Sequence, residues 1–149
     1  MMKRLFSLFA FIVVGALCAF AQKSFPVVLE REMKSEILGT AKKYCIYLPA
    51  GYGDEGKEFP VLYLLHGLTD THTAWRDKGN VQAIATDIFE SGKAQEMVIV
   101  MPDAGTTFDG YFNVPGWRYE DFFFQEFIPH IEKEYRVIAD KGHRAIAGL

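Results

Sequence analysis

Cysteine, proline and positive charge are all scarce in this 149-residue sequence, and each shortage removes a class of protein. Two cysteines are too few for a disulfide scaffold, and no Cys/His spacing suits zinc. Six prolines and 13 glycines exclude collagen-like and low-complexity chains. Lys and Arg total 16 against 19 Asp and Glu, a net charge of −3. With no basic cluster, the chain lacks the electrostatic footprint of a nucleic-acid partner, and phosphate-bearing ligands are disfavoured for the same reason. Only 23% of residues are charged, whereas 50% are hydrophobic and 15% aromatic. That balance excludes a disordered chain and supplies the core of one domain of ordinary size.

The amino terminus carries an address. Met1-Met2-Lys3-Arg4 is a short basic start, Leu5 to Ala21 are 17 residues without a charge, and Ala19-Phe20-Ala21 ends the run. Basic start, apolar middle and small-x-small close are the three parts of a secretory signal, cleaved after Ala21. A spanning helix needs about 20 apolar residues, so no stable membrane anchor is expected after cleavage. Bulky Leu17 before Cys18 argues against a lipoprotein signal. The division expected is 1–21 signal peptide and 22–149 folded domain, secreted or periplasmic. Removing Lys3 and Arg4 leaves 14 basic residues against 19 acidic ones, a charge of −5. Cys18 leaves with the signal, and Cys45, in an alternating strand pattern, reads as a small buried hydrophobe.

Along the remaining chain, Val27 to Leu38 and Ala41 to Leu48 are extended stretches separated by Gly39-Thr40. Tyr44, Ile46 and Leu48 alternate with Cys45 and Tyr47, the pattern of a half-exposed hairpin strand. Val61-Leu62-Tyr63-Leu64-Leu65 and Met97 to Met101 are continuous apolar runs, as in strands buried on both faces of a parallel sheet. Between them, Asn80 is placed to cap a helix whose face carries Val81, Ile84, Ile88 and Phe89, with Gly92 past its end. A second helix is predicted from about Tyr119 to Tyr135, with Phe124, Phe127, Ile128, Ile131 and Tyr135 on one face and Pro129 kinking or interrupting it. Ala145 to Leu149 opens a third buried strand. A strand–helix–strand–helix–strand order after an antiparallel lead-in means an α/β sheet. A buried strand needs a continuation, so the sequence reads as a fragment.

Ligands of open α/β sheets bind at the carboxyl ends of the strands. The first such end is His66-Gly67-Leu68-Thr69-Asp70, followed by Thr71-His72-Thr73-Ala74-Trp75. A His-Gly directly after a buried strand permits a sharp turn with free N–H groups, donors for a developing oxyanion; the alternative is a tight turn with a structurally bonded His66. The second end is Met101-Pro102-Asp103-Ala104-Gly105. A loop crowded with Phe108, Tyr111, Phe112, Asn113, Trp117 and Tyr119 follows it. These rings either line a pocket for a ring-shaped or sugar-bearing substrate or pack against the body of the fold. Ser7, Ser24, Ser35 and Ser91 lie in no Gly-x-Ser-x-Gly sequence, and His66, His72, His130 and His143 read as surface or structural residues.

These segments share an order with a known family. Tyr47-Leu48-Pro49, Val61 to Gly67, Met101-Pro102-Asp103, Glu126-Phe127-Ile128-Pro129, Glu132 to Val137 and Arg144 to Leu149 together resemble the esterase family of α/β-hydrolases. That family includes esterase D-like enzymes, feruloyl and acetyl xylan esterases and mycolyltransferases. The resemblance implies the amino-terminal half of an α/β-hydrolase fold: an antiparallel lead-in hairpin, then parallel strands with crossover helices. It implies a serine nucleophile in Ser-x-Gly-Gly directly after Gly148-Leu149, on a strained strand-to-helix elbow, with Asp or Glu and then His further on. No catalytic triad residue is therefore expected up to Leu149. The Leu68 backbone N–H, supported by His66 and Gly67, would be one oxyanion donor, and Thr69, Trp75, Tyr111 and Trp117 are candidate substrate contacts. No metal or cofactor is implied. The expected partner is a small-molecule or polysaccharide-linked ester, and nothing in the sequence marks an oligomer interface. The function implied is a secreted serine carboxylic-ester hydrolase, with the chain up to Leu149 inactive alone; an acyltransferase of the same fold and a non-catalytic carbohydrate-binding module are the alternatives.

Overall fold

The computed structural model describes residues 25–149, so the segment 1–21 read as a signal peptide, with Lys3, Arg4 and Cys18, lies outside the described residues. Strands β1 (Val27–Ser35) and β2 (Thr40–Leu48) form an antiparallel hairpin, and Gly39, at φ +63°, makes the left-handed step of its turn. Next come β3 (Val61–Leu65), the short helix α1 (Ala74–Asp77), α2 (Val81–Glu90) and β4 (Val98–Pro102). A two-stranded ribbon, β5 (Asn113–Val114) and β6 (Trp117–Arg118), precedes α3 (Tyr119–Phe122), α4 (Ile128–Glu134) and β7 (Arg144–Gly148). The five-stranded sheet runs β1-β2-β4-β3-β7, antiparallel across β1-β2-β4 and parallel across β4-β3-β7. The lead-in hairpin followed by parallel strands with crossover helices is the expected architecture.

Both faces of the sheet are covered at its centre, over β2 and β4, and this corrects one expectation. Residues 44–48 of β2 are all buried, not alternately exposed, because β2 is an inner strand with apolar layers on both sides. Tyr44, Ile46 and Leu48 join Val98, Val100, Phe122, Phe127 and Ile131 in one layer. Cys45 and Tyr47 join Val81, Ala85, Ile99 and Met101 in the other. In α2 the buried face is turned from the predicted one: Val81 and Ala85 are inside, whereas Ile84 is exposed. Asn80 does not cap α2 with its side chain; it enters the helix in a left-handed conformation, at φ +47°. Gly92, at φ +69°, closes the helix as expected.

The second helical segment is continuous but contains a widened π turn over Phe123–Phe127. Pro129 has no N–H to return to the carbonyl four residues earlier, and the widened turn just before it absorbs that loss. The turn also re-aims side chains. Phe123 is buried and Phe124 exposed, the reverse of the predicted helical face. Glu126 points at the β1–β2 turn, where Oε1 accepts from the Glu36 and Ile37 N–H groups, each at 3.1 Å, and Oε2 accepts from Ser35 Oγ at 2.5 Å. β7 is the expected third parallel strand, and among the described residues it forms the edge of the sheet. It pairs only with β3, and Ile146 is 51% exposed because no helix among the described residues covers it.

Candidate active site at the strand ends

At the end of β3 the chain makes a four-residue turn, in which the Asp70 N–H donates to the Gly67 carbonyl at 3.1 Å. Thr69 takes a left-handed conformation at φ +70°, as the third residue of a type II-like turn requires. Neither the Leu68 nor the Thr69 N–H finds an acceptor among the described residues. His66 is buried and locked from both ring nitrogens. The Ala104 N–H can only donate, so Nε2 accepts it at 3.1 Å, and Nδ1 donates to the Gly67 carbonyl at 2.8 Å. Asp103, whose Oδ1 accepts from the Gly105 N–H at 3.1 Å, pairs on its other oxygen with the buried Lys42 ammonium at 3.5 Å. The His66 turn and the loop leaving β4 are thus one bonded unit.

The end of β7 arrives at the same place. Leu65 lies opposite Gly148 in the parallel ladder, and a Cβ on Gly67 would stand 3.6 Å from Leu149 Cβ. Two shallow clefts meet over Gly67 and Leu149. Leu68, Phe108 and Tyr111 bound one, and Asp70, Trp75 and Lys78 bound the other.

Of the four candidate contact residues, three reach this area. Tyr111 lines the first cleft and Trp75 the second, while Thr69 sits in the turn between them. Trp75 also donates its indole N–H to the Leu65 carbonyl at 3.0 Å, which fastens α1 to the strand end. Trp117 is not brought here. It donates to the Gly110 carbonyl at 2.8 Å, stacks on Tyr119 with ring centroids 5.7 Å apart, and lies under the Lys42 ammonium at 5.1 Å. The loop instead turns Phe108 and Phe112 outward, 87% and 70% exposed, beside Tyr111. Their presence in the aromatic loop was visible in the sequence, but the direction each ring takes was not.

No serine among the described residues is placed as a nucleophile. Ser35 is buried against Glu126, and Ser91 donates to the Ile88 carbonyl at 3.1 Å. Burial pushes the Cys45 thiol up to about 11, which leaves it protonated and unreactive at neutral pH. Glu30, Cys45 and His72 bring three metal-capable atoms together. The Arg76 guanidinium, however, lies 3.0 Å from Glu30 Oε2 and 3.7 Å from Cys45 Sγ, and a cation added there would meet a fixed positive charge. Arg76 and His72, each bonded to Glu30, hold its carboxyl below the usual range. The cluster is an ion-pair network that ties α1 and the loop before it to the hairpin. His72 is structural in this sense, as is His143, bonded to Asp140 at 2.7 Å.

Comparison with known proteins agrees with this geometry. A family model described as "Putative esterase" matches residues 35–149. An endo-1,4-beta-xylanase/feruloyl esterase of Xylanibacter ruminicola is 37% identical over 123 residues, covering 77% of this chain and 17% of that protein. A solved ferulic acid esterase superimposes with a TM-score of 0.78 at 44% identity, over 82% of this chain and 48% of that one. A ferulic acid esterase from Anaeromyces mucronatus, solved in complex with ferulic acid, gives a TM-score of 0.71 at 28% identity, over 87% and 50%. The chain thus spans about half the length of these solved esterases and a smaller share of the curated relative. On the matched sequence, the sheet order and the crossover helices, this chain belongs to the esterase family of α/β-hydrolases.

Proposed function

We propose that the protein carrying this chain is a secreted serine carboxylic-ester hydrolase acting on feruloyl- or acetyl-type esters, including those attached to polysaccharides. The observation that carries this reading is the convergence at Gly67: two N–H groups without an acceptor among the described residues, Leu68 and Thr69, stand beside the carboxyl end of β7. In the family, the nucleophilic serine follows a Gly-Leu such as Gly148-Leu149. A serine there would attack an ester carbonyl held over Gly67, and the negative charge developing on the carbonyl oxygen would be met by the Leu68 N–H. A second donor would come from the residue after the serine. A histidine beyond Leu149 would take the serine proton and return it to the leaving alcohol, after which water releases the acid. The aromatic wall of Phe108, Tyr111 and Phe112 suits a planar aromatic acyl group, and relatives are named as feruloyl or ferulic acid esterases, one of them solved with ferulic acid bound. Secretion rests on the signal pattern of residues 1–21 and fits a polysaccharide-linked substrate better than a cytosolic thioester.

The test is hydrolysis of methyl ferulate and of acetylated xylan by the full-length secreted protein, with product analysis in the presence of excess free sugar. Free ferulic or acetic acid as the main product supports a hydrolase. Feruloyl or acetyl sugar as the main product would convert the reading to an acyltransferase. Sugar binding without turnover of any ester would leave only the carbohydrate-binding module.

A further inference from the structure

His66 stands one residue beyond the last ladder pair of β3, since pairing with β4 ends at Tyr63 and pairing with β7 ends at Leu65. Its backbone groups have no strand to bond, yet both are satisfied by one side chain. Tyr111 Oη accepts from the His66 N–H at 2.8 Å and donates to the His66 carbonyl at 3.1 Å. In extended backbone the N–H and C=O of one residue point to the same edge, where a neighbouring strand would take both. Here a phenol hydroxyl from a loop 45 residues away replaces that strand. The Tyr111 ring also packs against the His66 ring, centroids 5.5 Å apart, and edge-on against Tyr119 at 5.5 Å, which fixes its own direction.

The consequence travels one peptide further. The Gly67 carbonyl is held by two donors, His66 Nδ1 and the Asp70 N–H. Because a trans peptide is planar, fixing that carbonyl fixes the Leu68 N–H on the opposite side. The direction of the Leu68 N–H is therefore set by His66, and the position of His66 is set by Tyr111 and by the Ala104 N–H.

We propose that Tyr111 is a positioning residue whose hydroxyl aligns the Leu68 N–H for the transition state. This rests on the hydrolase reading above. Substrate contact is not required of its hydroxyl, which is fully engaged with His66. Losing an oxyanion donor altogether costs about 10²–10³ in turnover, and a misplacement of about 1 Å costs about 10². Tyr111→Phe keeps the ring and removes both bonds, so kcat falls by about 10–100-fold while KM changes less than about twofold, to a similar degree for methyl ferulate and p-nitrophenyl acetate.

The experiment compares the full-length wild type, Tyr111→Phe and, as a control, Tyr63→Phe, which removes a buried hydroxyl without a partner among the described residues. Amide hydrogen exchange at His66 and Leu68 is measured alongside; the His66 amide exchanges slowly in the wild type and faster in Tyr111→Phe. Para-aminophenylalanine at position 111 keeps the ring with a group that both donates and accepts, and it recovers kcat to within about threefold of wild type even where Tyr111→Phe folds poorly. An active wild type with Tyr111→Phe at unchanged kcat, or with a loss confined to KM for the ferulate ester, overturns the positioning role alone. A wild type without ester turnover overturns the hydrolase reading and the positioning role with it.

Discussion

Gly148 is where packing and proposed chemistry meet, and Gly148→Ala tests both. A Cβ there would lie 2.7 Å from the Leu65 carbonyl oxygen and 2.8 Å from Leu65 Cβ, where ordinary contacts begin near 3.4 Å. The obstacle is backbone, so no rotamer change relieves it, and β7 must retreat from β3 by roughly 0.7 Å, the difference between those distances. Overpacking of this kind costs about 1–3 kcal/mol. The low end applies, because Gly148 forms the last ladder pair with β3 and the shift need not break the pairs before it. A loss of about 1 kcal/mol lowers Tm by only about 2–8 °C at domain size. The catalytic loss is larger, since the same retreat draws Leu149 and the residue after it away from Gly67. A shift near 1 Å costs about 10² in rate, so kcat/KM for methyl ferulate in the full-length protein falls by about 10–100-fold. Gly67→Ala is the contrast for stability: its Cβ would make only an ordinary 3.6 Å contact, with Leu149 Cβ, and Tm moves by less than about 2 °C. Thermal melts and steady-state kinetics on the two variants decide the matter. Wild-type Tm and kcat/KM in Gly148→Ala, or a Gly67→Ala protein as unstable as Gly148→Ala, would refute the reasoning.

Glu126→Ala removes three hydrogen bonds to the β1–β2 turn. With water replacing part of them it destabilises the protein by about 2–4 kcal/mol in urea unfolding, whereas Glu126→Gln, which keeps one acceptor oxygen for the two N–H groups, costs about half as much; equal and negligible losses would show that the turn stands without the clamp. Burial holds His130 below the ordinary imidazole range, with Glu134 opposing and Lys133 assisting the shift. The unfolded chain therefore takes up a proton first as pH falls through about 6.5, so this stability is present above that pH and lost below it; the urea midpoint should fall between pH 7 and 5.5, and an unchanged slope in His130→Gln would exclude His130 as a source. Residues 1–149 alone should hydrolyse p-nitrophenyl acetate no faster than buffer, because Ser35 is bonded to Glu126 and the Cys45 thiol is pushed up to about 11. Saturable turnover in a stopped assay would mean that a nucleophile has been overlooked.

Much of the fold was legible because buried parallel strands leave a local signature. Val61–Leu65 and Val98–Pro102 are continuous apolar runs, and both are strands within one residue of their predicted limits. Errors arose where a tertiary neighbour decides. The alternation in residues 44–48 looks like one wet face, but β2 lies between β1 and β4 under two apolar layers, so the polar-looking positions Cys45 and Tyr47 are buried as well. The exchange of Phe124 for Phe123 on the buried face follows from a π turn, and a 3.6-residue period read through Pro129 cannot contain that turn.

The site divides along the same line. A glycine after a buried strand announces a sharp turn, so residues 66–70 could be singled out from sequence spacing alone. What holds that turn in place is not local: a hydroxyl at position 111 and an N–H at position 104 close on His66 across 45 and 38 residues. The aromatic loop shows why such links escape a linear reading. Tyr111, Phe112 and Trp117 are chemically alike as large rings in one loop. The β5–β6 ribbon sorts them, because its Val114↔Trp117 pair and the left-handed Gly116 fold Trp117 back onto Tyr119 while Phe112, just outside the ribbon, stays in solvent. The ribbon therefore decides which ring packs inward and which stays outside. Lengthening the ribbon turn by one glycine after Gly116 should release Trp117 and loosen Tyr111 with it. In that variant the loss of kcat expected of Tyr111→Phe would appear without any change to the Tyr111 hydroxyl, and a fully active insertion variant would show that the ribbon turn does not hold Tyr111 in place.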